Sequence, residues 1–168
     1  MHKVSGFSFL EMLIVLLVIG LLLSIVAPRL RGNNRGRMDE FVTNFQSLVT
    51  DTVSAAVTEH KPHKVLFDFE ANTITTWSYH PETEEKNVHQ QFVPVSGELS
   101  IPEWLHITAF KIFGQDEMNS MKRTDTAWFY CMPDGSVQAV EIGVILEDDQ
   151  QMMMTVSPFY GVVGVHAV

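Results

Sequence analysis

Cysteine occurs once in the 168 residues, at Cys131, so no disulfide can form within the chain. Outside the cytoplasm a lone thiol is tolerated most easily when it is buried. Basic residues are scarce too: 11 Lys and Arg stand against 20 Asp and Glu, a formal net charge of −9. The last stretch, "SPFYGVVGVHAV", holds no Lys or Arg at all. Affinity for nucleic acid rests on phosphate neutralisation, so DNA is an unfavourable partner. No Ser-His-Asp pattern, nucleophile motif or glycine-rich phosphate loop is present. The chain is therefore not expected to be an enzyme, and no cofactor is expected. Internal repeats and low-complexity tracts are absent as well.

Three clusters invite a metal reading and fail it. His60 and His63 in "EHKPH" are two residues apart, but no cysteine or second histidine pair follows at finger-like spacing. They read as a solvent-exposed helix end. Met152, Met153 and Met154 suit a soft metal less than a strand whose alternate side chains face a core. Asp148 and Asp149 beside Glu147 read as a solvated turn. No metal site is expected.

Charge is missing altogether from Met12 to Ala27. With Phe7 to Leu10 in front, the apolar segment is about 20 residues long, enough as a helix to span a bilayer core of roughly 30 Å. A cleaved signal peptide is the competing reading. Ser24 and Ala27 suit it, whereas Pro28 and the arginines that close "LLLSIVAPRLRG" do not. One carboxylate, Glu11, interrupts the segment. A charge at a helix centre in hydrocarbon costs about 2.5–3.5 kcal/mol on insertion scales, so its retention implies a partner or a function. Snorkelling to the head groups is the simpler alternative.

After Pro28, "PRLRGNNRGR" weakens a helix, and a kink or partial unwinding is expected there. Met38, Phe41, Phe45, Leu48 or Val49, Val53 and Ala56 then recur at spacings of three and four, giving one apolar stripe that Pro62 ends. Beyond Pro62 no helical period remains. Strands are expected at 64–69, 73–79, 88–95, 105–111, 126–131, 137–146 and 152–157, with a last one closing the chain. "TAWFYC" and "VQAVEIGVIL", joined through Pro133-Asp134-Gly135, read as the clearest hairpin. The fold class is α+β: a long N-terminal transmembrane helix packed on a C-terminal antiparallel, sandwich-like β domain. Charge follows the same division, with residues 1–37 at +4, 38–60 at −4 and the remainder at −9.

"G-F-S-F-L-E" followed by the apolar run resembles the processing and assembly signal of type IV prepilins and type II secretion pseudopilins. The resemblance implies a leader of residues 1–6 cut after Gly6 by a prepilin peptidase, and N-methylation of Phe7. It also implies that Glu11 serves filament assembly, and that Gly20 and Pro28 mark the ends of a helix segment that melts on assembly. Domains are then 1–6 leader, 7–28 transmembrane and filament-core helix, 29–61 amphipathic continuation with a kinked start, and 62–168 periplasmic β-rich domain. An amine at Phe7 of one subunit and Glu11 of its neighbour would be a charge pair at low dielectric. The implied orientation carries four arginines across the membrane against the usual cytoplasmic bias of Lys and Arg, with only Lys3 and His2 in opposition.

The later residues resemble the minor pseudopilin family GspH/FimT, through "PHKVLFDFEANTITTW", "PDGS" and "ILEDDQQMMMTVSPFYGVVGV". Tyr160-Gly161 stands where that family has a closing Thr-Gly pair. The resemblance implies a minor pseudopilin at or near the tip of a periplasmic pseudopilus that helps export folded proteins across the outer membrane. Its partners would be the prepilin peptidase, other major and minor pseudopilins or pilins, the inner-membrane assembly platform and, before assembly, membrane lipid. Localisation would be the bacterial inner membrane, single-pass, with the N-terminus cytoplasmic. The alternative is a minor pilin of a type IV pilus, acting in priming or at the tip. DNA uptake suits it less, because the family's DNA-binding arginines near the C-terminus have no counterpart here.

Overall fold

The structure is a computed structural model that describes residues 9–31, 33–81, 91–120 and 125–167. The chain divides into two compact units, one ending at Asp39 and one running from Glu40 to Val168.

Helix α1 runs Phe9–Arg31 and α2 runs Asn33–Glu59; Gly32, between them, lies outside the described residues. Of the stretch 28–37 where loosening was expected, the described residues 28–31 and 33–37 are helical, and Gly32 lies outside them. Among the described residues no helix is long and apolar enough to cross a membrane. The side chains described on α1 are those of Phe9–Leu22, a stretch of about 21 Å at 1.5 Å per residue.

In the second unit the apolar stripe of α2 is buried at Phe41, Phe45, Val49, Val53 and Ala56, as a spacing of three and four requires of a helix lying on a core. Its C-terminus is closed by His60 at φ 53° and by a hydrogen bond from Lys61 N to Ala56 O of 3.2 Å. That left-handed cap turns the chain back. His63 thus becomes the first residue of β1, facing inward and 1% exposed. The exposed helix end expected at His60 and His63 holds only for His60.

Among the described residues nine strands follow: β1 His63–Asp68, β2 Thr73–Tyr79, β3 Phe92–Ser100, β4 Leu105–Ile112, β5 Gln115–Asp116, β6 Thr126–Cys131, β7 Val140–Leu146, β8 Gln151–Val156 and β9 Val163–Ala167. They form two antiparallel sheets, A in the order β3-β2-β1-β6 and B in the order β5-β4-β7-β8-β9. Strict alternation in β2 and β6 buries one face of sheet A. Phe67 of β1 joins the layers: its ring centroid lies 5.7 Å from Phe45 on α2, 5.1 Å from Phe110 on β4 and 6.4 Å from Phe129 on β6. The two-sheet α+β architecture is as expected.

Three local expectations need correction. β6 and β7 are not a hairpin: β6 pairs with β1 in sheet A, and β7 pairs with β4 and β8 in sheet B. The turn forms, with Gly135 at φ 83° and a Cys131–Val137 bridge beyond it. The ladder then stops where the Gln138 side chain takes the Tyr130 N–H at 2.9 Å. β7 is almost wholly buried, which a strand flanked on one side only would not achieve. A one-turn helix, α3 (Glu117–Ser120), also follows Pro62, capped by Asp116 Oδ1 on Met118 N at 3.1 Å. Four residues are too few to show a period. β3 begins at Phe92 rather than 88, and 88–90 lie outside the described residues.

The turn between β8 and β9 is pinned to α2. Gln46 donates to Gly161 O at 3.1 Å and accepts from Val163 N at 2.5 Å. A Cβ on Gly161 would lie 2.6 Å from Val49 Cγ1, and φ there is 61°. Only glycine fits that approach.

Candidate assembly surface

Of the predicted site residues, Gly6 and Phe7 lie outside the described residues. Glu11 stands in the first turn of α1 with its side chain exposed, and it is the only ionisable residue among Phe9–Leu22. Around it the large apolar side chains are exposed on every side, from 83% at Phe9 to 45% at Val15. A helix apolar all round belongs in a core or a membrane, not in water. Gly20 has nothing within 4 Å of a notional Cβ. Gly20 and Pro28 both lie inside continuous helix. Glu11 and its surroundings can therefore serve contact with another apolar surface, and the carboxylate can seek a cation there.

The second unit carries chemistry-bearing groups without a reactive constellation. Burial pushes the Cys131 thiol up to about 12, where the nucleophilic thiolate is scarce. Hydrogen bonds from the Ser136 side chain and backbone hold the Asp134 carboxyl below its usual range. They make it a turn residue, with Ser136 Oγ at 2.6 Å. Among the described residues no group of three or more His, Cys, Asp or Glu converges as a metal site would. Met154 is buried while Met152 and Met153 are half-buried.

Three features had no clear signal in the sequence. Lys64, 6% exposed, lies over the rings of Trp77 at 4.9 Å, Phe92 at 4.8 Å and Trp128 at 5.8 Å. Burial lowers its pKa, while the ring faces stabilise the ammonium. Alternation puts Lys64 on the outer face of sheet A; the aromatics that surround it come from strands 13, 28 and 64 residues further on, so only register brings them together. Buried His63 meets the half-exposed Glu59 across the end of α2, at 3.5 Å. Phe113 and Tyr160 are both exposed aromatics at positive φ, 49° and 60°, each followed by glycine. Register places both at one end of sheet B, since Ile112 pairs with Val140, Val140 with Val156 and Val156 with Val163.

Residues 1–27 match the family described as the prokaryotic N-terminal methylation motif. No curated protein matches the chain. Two solved structures of the minor pseudopilin EpsH from the type II secretion system of Vibrio cholerae share its fold. One is 12% identical with a TM-score of 0.51, covering 75% of this chain and 93% of that one. The other is 13% identical with a TM-score of 0.52, covering 75% and 90%. This chain thus joins the prokaryotic N-terminal methylation motif, over residues 1–27, to a fold shared with a minor pseudopilin.

Proposed function

We propose that the chain is a minor pseudopilin of a type II secretion system, a subunit at or near the tip of a periplasmic filament that helps move folded proteins across the outer membrane. The observation that carries this reading is α1: a 23-residue helix with apolar side chains exposed around its described part and one carboxylate, Glu11, at its start. Before assembly the helix anchors the subunit in the inner membrane, N-terminus inward, and the prepilin peptidase cuts after Gly6 and methylates Phe7. On assembly the helix leaves lipid for a core made by its neighbours, where Glu11 meets the amine of an adjacent subunit. Stranding either charge is costly in that core, which fixes the register between subunits. The role is non-enzymatic. Support for the secretion system over a pilus comes from the EpsH likeness and from a net charge of −9 with no cationic C-terminus to hold DNA.

The test is a complemented deletion in the source organism, scored for proteins in the medium, surface pili and DNA uptake in the same cells. Loss of secreted proteins with pili intact is expected. Loss of pili or uptake with secretion intact would overturn the reading.

A further inference from the structure

The end of α2 and the start of β1 enclose an acceptor that has no donor. His63 is 1% exposed, and its Nδ1 lies 3.1 Å from the backbone oxygen of Lys61. A carbonyl only accepts, so Nδ1 carries the proton and donates it. In the neutral ring Nε2 is then a bare lone pair. It is buried with no hydrogen-bond partner among the described residues. What it faces, at 3.5 Å, is a second acceptor, Oε2 of Glu59. Ser78 Oγ is already committed, donating to that same Oε2 at 3.2 Å. Buried polar atoms without a partner are few in folded proteins, and each calls for an explanation.

His63 and Glu59 line an open cleft of about 230 Å³ between α2 and sheet A, walled also by Asp51, Thr52, Thr76 and Val95. The polar lining is acceptor-rich. Asp51 and Glu59 are carboxylates, and Thr52 Oγ1 donates its own proton to Leu48 O at 2.6 Å, leaving only lone pairs. No Lys or Arg is among the residues that wall the cleft.

We propose that this cleft receives the guanidinium of an arginine presented by a partner protein, its N–H donors reaching His63 Nε2 and Glu59 Oε2 together. The group has five donors in one plane, no acceptor and a permanent charge. That is the complement of a lining with two carboxylates and a bare imidazole nitrogen. A metal ion fits less well, since no third His, Cys, Asp or Glu joins the pair among the described residues. A proton is the competitor. Once Nε2 is protonated it donates to Glu59 and the pair closes on itself. The groups that share the cleft with His63 are Asp51 and Glu59 from α2, Thr76 from β2 and Val95 from β3, and its register partners are Ser78 on β2 and Cys131 on β6. None of these is a cation. The proposal stands on the cleft alone and does not depend on the filament reading, so the two fail separately.

The full chain in detergent micelles, labelled with ¹⁵N, tests it through the imidazole resonances of His63. At pH 7.5 the pattern of a protonated Nδ1 and a bare Nε2 is expected. Methylguanidinium should then shift Nε2 saturably, whereas tetramethylammonium, a cation without N–H donors, should not. Glu59→Gln should weaken the response at least tenfold. Glu59 is half exposed, so the amide is accommodated; Asp51→Asn, on the exposed face, is the second variant and should weaken binding several-fold. A proton found on Nε2 at pH 7.5, or equal responses to both cations, would overturn the proposal. So would saturation by Zn²⁺ where methylguanidinium fails.

Discussion

A tyrosine with φ of 60° and 77% of its surface in solvent has little packing to hold it in left-handed backbone. That geometry costs an ordinary L-residue roughly 1–2 kcal/mol, and asparagine tolerates it better. Tyr160→Asn should therefore raise stability by about 0.5–1 kcal/mol in urea unfolding, leaving the exposed ring's own role to be read separately. Phe113 poses the same conflict one sheet edge away, at φ 49°. Cys131 offers a second check at this scale. The folded state keeps its thiol protonated up to about 12, while the unfolded thiol ionises near the ordinary 9.0. The native state holds the extra proton between those values, so this contribution is complete below pH 9 and lost as pH rises toward 12. The measurable counterpart is reactivity: a disulfide reagent at pH 8 should label no thiol in the folded protein and one after denaturation.

Among the elements, Phe67 is the contact that most depends on all three layers at once. Phe67→Ala should cost about 3–5 kcal/mol, the range for a large aromatic removed from a packed core, measured as a shift of the urea midpoint at constant slope. Strands such as Thr73–Tyr79 and Thr126–Cys131 were legible because alternation is a local signal that survives any tertiary context. The destination of β7 was not. The turn at Pro133-Asp134-Gly135 is as local as any hairpin signal, but pairing is decided by which neighbours bury Ile142, Val144 and Leu146, and β4 and β8 lie outside that window. His63 escaped for a similar reason: the cap at His60 reverses the chain within three residues, and a pattern that reads as helix end becomes sheet core. The N-terminal methylation motif was legible because it is a local sequence pattern, independent of any tertiary contact. Its spatial consequences at Gly6 and Phe7 lie outside the described residues.

For the whole molecule, the division of labour lies between an apolar helix with exposed sides and a β domain with its own closed core. Gly6→Leu should leave an uncleaved precursor in the inner membrane, seen as a larger band by mass spectrometry; normal processing of that variant would sink the prepilin reading. Glu11→Ala should be processed normally yet fail to co-purify with its sister subunits, and equal recovery would remove the charge-pair account. Neither change should alter the thermal unfolding of the second unit, whose core contains neither residue. The order of strands in sheet A has a further consequence, for synthesis rather than for assembly. β1 lies between β2, its neighbour in sequence, and β6, more than 60 residues further on. A chain emerging from the ribosome therefore makes the β1–β2 hairpin early and then waits with one edge of β1, and the ring of Phe67, unpaired. Pairing at that distance is slow because loop closure precedes any gain from contact. Until Thr126–Cys131 arrives, the nascent domain carries an open apolar edge, the feature that draws chaperones or aggregates.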